Sequence, residues 1–318
     1  MAKKYTNTGN KDTLSGFGAG LLEAGRKNPN IVALTADLLG SVKMDAFAKE
    51  FPHRFFQCGI AEANMIGAAA GLAITGKVAF ASSFAEFVTG RVYDQIRQEV
   101  AYGHTNVKVC ASHAGITLGE DGATHQTMED IALMRALPGM VVINPCDYNQ
   151  CKAATLAIAE YEGPVYLRFG RPTMPNFTPE DQVFEIGKAI CLNEGTDVTI
   201  FATGHLVWEA VNAAELLEAE GISAEVIDIA TIKPLDVEAV VASARKTGAV
   251  VCAEEHNMCG GLGELIAGVL AANAPTLIEY VNGADRFGQS GTPGELMKAY
   301  GLDAAHIVEA AKRAVSRK

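Results

Sequence analysis

Short runs of β-branched and aliphatic residues alternate with longer stretches of helical periodicity along the first half of the chain. The runs Lys77–Ala81, Asn106–Ala111, Met140–Ile143 and Pro164–Arg168 have the length and unbroken apolar character of strands buried on both faces. Between them lie 61–75, 84–103, 126–136 and 148–160, each long enough for a helix. Such alternation predicts a mostly parallel sheet covered by helices on both sides.

The pattern lapses after Arg171, where Pro172, Pro175 and Pro179 fall among polar residues. It then resumes. Strand-like runs at 197–202, 224–229, 249–253 and 276–281 are interleaved with helical stretches at 205–220 and 262–272. The expected architecture is α/β, with two doubly wound, mostly parallel-sheet domains. Their expected extents are 10–171 and a smaller 186–318, joined by a linker over 172–185. A length of 318 residues agrees with two domains.

Charge narrows the possible partners. Lys and Arg number 26 against 37 Asp and Glu, a net charge of −11. A non-specific nucleic-acid or anionic-membrane surface requires the opposite sign. The longest apolar stretch, Ile66–Ile74, is far short of the ~18 residues of a membrane span. Met1–Asp12 is polar, so no leader peptide is expected. Seven cysteines lack a CxxC pair, and most sit in apolar runs. They read as core residues of a reducing, cytoplasmic setting.

Several segments bear candidate chemistry. Glu62 is the one carboxylate in a run of apolar and small residues, Gly59–Ala73, at the start of a predicted helix. Helix-dipole stabilisation would account for it. The small neighbours instead predict close packing, and a buried carboxyl takes a raised pKa and donates as a neutral acid. A glycine-rich loop brings His113, Glu120, Asp121 and His125 within thirteen residues. It is either a polar turn or a catalytic loop at a strand end, and its spacing matches no standard metal site. Phe84 and Phe87, three apart on the predicted 84–103 helix, share a face as core or as a cofactor wall. Arg168 and Arg171 would either grip a phosphate or tie linker to domain. Gly260-Gly-Leu-Gly and His205 are expected as helix starts.

Together these segments resemble the carboxyl-terminal half of a transketolase over nearly the whole chain. The carriers are Ala36-Asp-Leu-Leu-Gly-Ser, Gly59-Ile-Ala-Glu-Ala-Asn-Met, Ser83-Phe-Ala-Glu-Phe, the Ser112–Gln126 loop, Pro145-Cys-Asp and Asp285-Arg-Phe-Gly-Gln-Ser-Gly. The resemblance implies a domain binding the pyrimidine of thiamine diphosphate, followed by a domain serving assembly more than chemistry. It implies that Glu62 hydrogen-bonds the pyrimidine N1′ and that Ile60, Phe84 and Phe87 line the cofactor. His113 and His125 would bind sugar and move protons, and Asp121 would read the sugar hydroxyls. Ser41 and Arg171 would hold a distal phosphate.

Two departures accompany it. Gly90 and Arg91 stand where the family has a third aromatic, and an arginine expected near the chain start is answered at best by Lys11. No Gly-Asp-Gly occurs in the sequence. The resemblance therefore implies that Mg2+ or Ca2+ and the diphosphate are held by a separate large subunit carrying Gly-Asp-Gly, as an α2β2 heterotetramer, and that no metal is held here. The expected reaction is transfer of a two-carbon ketol unit between phosphosugars. A 2-oxo acid dehydrogenase β subunit, a deoxyxylulose-phosphate synthase-like subunit, or a non-catalytic paralogue are the alternatives.

Overall fold

The computed structural model describes residues 5–318; the first four residues of the polar start lie outside them. The first sheet has seven strands in the order Thr231–Lys233, Val141–Ile143, Val165–Arg168, Val107–Ser112, Val78–Phe84, Ile31–Thr35 and Phe55–Gln57. All neighbours run parallel except the outermost pair, in which Thr231–Lys233 lies antiparallel on Val141–Ile143. The five-stranded second sheet runs Leu277–Val281, Ala249–Ala253, Val198–Ala202, Ala224–Asp228, Ile190–Asn193, with only the last strand antiparallel. The two mostly parallel α/β sheets are as expected. Sharing of the first sheet by both halves of the chain was not visible in the sequence.

Local chemistry explains the element starts. Asp12 caps the Thr13–Lys27 helix by accepting from the Ser15 amide, and Arg26 and Lys27 sit in its last turn. That helix escaped the sequence reading because its four glycines depress helix propensity. They are there for contact. A Cβ on Gly16 would lie 2.5 Å from the Tyr148 carbonyl oxygen, and one on Gly20 2.7 Å from Thr155 Cβ. The Thr13–Lys27 and Tyr148–Glu160 helices thus pack nearly backbone to backbone. Asp147 caps the latter and also accepts from the Phe177 and Thr178 amides, which pins the 172–185 segment to the first domain. Thr173–Pro175 pairs antiparallel with Asn10–Asp12.

Two predicted helices are shorter than their periodicity suggested. The Val78–Phe84 strand continues through Phe84 and is followed by turns; helix begins only at Tyr93 and runs as a π-helix from Ile96 to Tyr102. Phe84 and Phe87 are therefore not on a helix face. Residues 126–129 are likewise not helical, because Gln126 Nε2 is tied to the carbonyls of Ile116, Gly119 and Gln289, and helix starts at Asp130. The Glu62–Ile74 helix is buried on one side only: Met65, Ile66, Ala69 and Ala70 face the core, while Ala63, Ala68 and Gly71 are exposed. Four of the seven cysteines are buried, and all seven are free thiols. No helix among the described residues is long and apolar enough to cross a membrane.

Arg168, one of the two candidate phosphate ligands, is a buried structural residue. Its Nε donates to Asp130 at 2.7 Å, Tyr166 donates to the same oxygen at 2.6 Å, and Arg168 Nη2 reaches the Glu255 carbonyl of the second domain at 2.9 Å. Burial alone would push the Asp130 carboxyl up, but Arg168, His256 and the Tyr166 hydroxyl hold it below the usual carboxylate range. Arg168→Met should leave that carboxylate buried and unpaired, lowering the unfolding free energy by about 3–5 kcal/mol in urea titrations. A loss below about 1 kcal/mol would show that water or another cation takes over.

Candidate active site

The candidate residues gather at the carboxyl edge of the first sheet, where the strand order reverses. From Ile31–Thr35 the chain runs out to Phe55–Gln57, then returns to Val78–Phe84 on the other side. Ligands of open α/β sheets bind at such switch points. Phe84 ends one strand, His113 follows the next at Ser112, and the 36–44 loop follows Ile31–Thr35. Glu62 opens the helix that comes after Phe55–Gln57.

Side chains from these elements form a ladder of flat groups. The His113 ring stacks on Phe84 with centroids 4.0 Å apart, and Phe84 stacks on Phe87 at 5.7 Å. The Arg91 guanidinium lies 4.1 Å over the Phe87 ring, and His125 meets the edge of Phe87 at 5.3 Å. Arg91 Nη1 then donates to Glu62 Oε1 at 3.1 Å. Glu62 is 4% exposed, as its small neighbours predicted, and Arg91 is its partner across the pocket. Ile60, by contrast, is 79% exposed on the loop before Glu62.

The loop bearing the histidines is held by both domains. His113 is buried with φ of 56°, a backbone state that few non-glycine residues adopt. Gly115, at φ 78°, lies so close to Glu255 that a Cβ there would be 2.3 Å from its carboxyl. Glu255 Oε1 also accepts the Thr117 amide at 2.7 Å. This carboxylate from the second domain fixes the loop of the first, a role the sequence did not suggest. His205 Nδ1 sits 3.6 Å from Glu255 Oε2 at the start of the Leu206–Ala219 helix. Burial, with Arg168 nearby, pushes the His205 imidazole down to about 4, so it is neutral and structural. The Gly260–Gly263 turn is also structural: Glu254 accepts from the Leu262 and Gly263 amides, where an anion would otherwise dock.

Beside the ladder opens a cavity of about 410 Å³ lined by Ser41, Lys43, Phe84, His113, Asp121 and Arg171 among others. Arg171 donates to the Leu118 carbonyl at 2.9 Å and lies 3.5 and 3.7 Å from the Glu120 and Asp121 carboxylates. Lys11 takes no part; its ammonium rests over the Tyr148 ring at 4.6 Å. Lys43 supplies the second cation instead. It has φ of 57°, and a Cβ on Gly18 would lie 2.5 Å from the Lys43 carbonyl oxygen, so that backbone is tightly set. Among the described residues, one His/Cys/Asp/Glu group lies within metal-ligand reach, Cys191, Glu194 and Glu225 in the second domain. Lys246 already bridges both of its carboxylates.

The arrangement thus offers an aromatic wall, a buried carboxylate facing it, two histidines, and a cavity with cations at one side. Such a surface can stack a planar ring and attract an anion. Comparison with known sequences gives the family. The profile for the transketolase pyrimidine-binding domain matches residues 10–176, and that for the transketolase C-terminal domain matches 187–307. The chain belongs to the transketolase family. A Methanocaldococcus jannaschii chain named for the C-terminal section of a transketolase is 50% identical over 302 residues, 94% of this chain and 95% of that one. The 6-deoxy-6-sulfo-D-fructose transketolase subunit of a Clostridium species is 46% identical, covering 94% of this chain and 92% of its own. Among solved structures, a split-gene transketolase, titled an inactive β4 tetramer, superposes with a TM-score of 0.90 at 47% identity, covering 97% of this chain and 99% of that chain.

Burial pushes the His113 imidazole down to about 4, and the nearby Arg171 adds to the effect. The folded state therefore resists protonation that the unfolded chain accepts near 6.5. Stability contributed by neutral His113 is present above 6.5 and is lost as pH falls toward 4; His205 acts with the same sign. In NMR titrations the His113 ring should stay neutral down to about pH 5. A midpoint near 6.5 would show a solvated ring.

Proposed function

We propose that this chain is the small subunit of a two-chain transketolase that transfers a two-carbon ketol unit between sugars ending in an anion. The observation that carries the reading is the pairing of buried Glu62 with the Phe84–Phe87 wall at the switch point. The side chains present suit an aminopyrimidine. The Arg91 guanidinium, flat and rich in N–H groups, lies on Phe87 and bonds Glu62, the two contacts that an aminopyrimidine would also make there. When bound, thiamine diphosphate supplies the carbon nucleophile and electron sink that cleavage of a ketose C–C bond requires.

The residues divide the remaining tasks. Glu62 would hold a proton at the pyrimidine N1′, Phe84 and Phe87 would fix the ring plane, and Ile60, exposed on the loop before Glu62, would add apolar cover. Neutral His113 both donates and accepts, so it can orient a sugar hydroxyl; half-buried His125 moves protons at the substrate oxygen. Asp121 binds hydroxyls. Ser41, Arg171 and Lys43 hold the terminal phosphate or sulfonate, which accords with the sulfosugar in the Clostridium relative's name. Mg2+ or Ca2+ and the diphosphate belong to a separate large subunit with a Gly-Asp-Gly sequence, giving an α2β2 assembly in the cytoplasm. The inactive β4 form of the solved neighbour supports the need for that partner.

The test is a coupled assay with a ketose phosphate donor and an aldose phosphate acceptor, first on this chain alone and then with its partner. Activity only in the mixture is expected; activity of the lone chain would overturn the split reading. Carbon dioxide release from a 2-oxo acid would instead assign it to a 2-oxo acid dehydrogenase or deoxyxylulose-phosphate synthase-like enzyme. Glu62→Gln should abolish turnover while leaving the circular dichroism unchanged, and near-native turnover would sink the mechanism.

Lys43→Ala should raise KM for a phosphorylated acceptor about tenfold, the loss of one charge-assisted hydrogen bond, with kcat little changed. An equal effect on a neutral acceptor would remove Lys43 from the anion site.

A further inference from the structure

We propose that Arg91 is a built-in placeholder for the cofactor's aminopyrimidine, filling the gap between Phe87 and Glu62 in the isolated chain and leaving when the pyrimidine enters. The inference rests on the reading of this site as a pyrimidine pocket.

Three observations carry it. First, the guanidinium makes two kinds of contact that an aminopyrimidine can also make there. It lies face-on 4.1 Å above Phe87 and donates to Glu62 at 3.1 Å. The two groups therefore compete for one space and cannot share it. Second, the pair is asymmetric: the Arg91 side chain is 50% exposed and Glu62 only 4%. Arg91 can swing out to water at little cost, whereas Glu62 stays. A buried carboxylate without a partner is strongly unfavourable, so the exchange of one nitrogenous partner for another spares the empty site that state. Third, a second acidic side chain stands nearby. The half-buried Glu86 Oε1 comes within 3.9 Å of where a Cβ on Gly90 would sit, next to Arg91 in sequence. Burial, with Glu129 and Asp130 close by, raises the Glu86 carboxyl to about 7, and Arg91 opposes that rise. The displaced guanidinium thus has a carboxyl to move toward.

Calorimetric titration of the full chain with 4-amino-5-hydroxymethyl-2-methylpyrimidine tests this without any turnover. Arg91→Met should bind the pyrimidine about five- to tenfold more tightly than the parent, the order set by one half-exposed ion pair and one cation–π contact. Arg91→Lys keeps the charge without the flat stack and should fall between them; it also serves if Arg91→Met folds poorly. Equal or weaker binding by Arg91→Met and Arg91→Lys, with binding still lost in Glu62→Gln, overturns the placeholder while leaving the pyrimidine pocket standing. Binding by none of the folded variants, or binding indifferent to Glu62→Gln, overturns the pocket reading and the placeholder together.

Discussion

A charge buried at the seam between the domains governs the rest of the structure. Asp130 has no exposure and is kept ionised by Arg168, which in turn holds the Glu255 carbonyl. Glu255 then fixes the Thr117 amide and abuts Gly115, and so sets the turn that carries His113. The cost of desolvating these ions is offset only when each finds its partner in good geometry. Moving one domain against the other would break the Arg168 bond to the Glu255 carbonyl and take the Glu255 carboxyl from the Thr117 amide. The second domain thus supplies the carboxyl that shapes the loop bearing His113.

The site combines two demands that usually conflict. A ladder of aromatic rings requires a dry surface, and the proposed sugar chemistry requires polar groups. Here the conflict is met by keeping the imidazole of the ladder neutral and by placing cations on one side of the cavity. Lys43 is exposed and Arg171 half-exposed, so both cations keep contact with water. The neutralising carboxylates of Glu120 and Asp121 sit beside Arg171, which keeps the cavity from carrying a large positive field in an otherwise acidic chain.

Much of the fold was legible because parallel strands buried on both faces are unbroken apolar runs, and Val107–Ser112 and Ala249–Ala253 are such runs. The Thr13–Lys27 helix was not, since close packing selected glycines that weaken its local signal. Phe84–Val92 misled in the opposite direction. Its apolar spacing fits a helix, but pairing of Phe84 with Ser112 keeps it in the sheet and turns follow. In the site, Glu62 and the histidine loop could be found from composition and motif. Arg91, Lys43 and Glu255 could not, because their roles come from contacts between segments 25 to 140 residues apart, such as Gly18 with Lys43 and Gly115 with Glu255, in a chain whose local patterns say nothing of such pairs. Arg91 had drawn notice only as a departure from the resemblance.

The short strand Thr231–Lys233 carries a consequence for how such a chain can be rearranged. It belongs by sequence to the second half but completes the edge of the first sheet on Val141–Ile143. Cutting the chain at 172–185 would strip that edge bare, and an unpaired edge strand invites aggregation with other chains. Fusion, fission and exchange of modules during descent are therefore channelled. An exchange that keeps the two halves together keeps Thr231–Lys233 on Val141–Ile143 and leaves no bare edge.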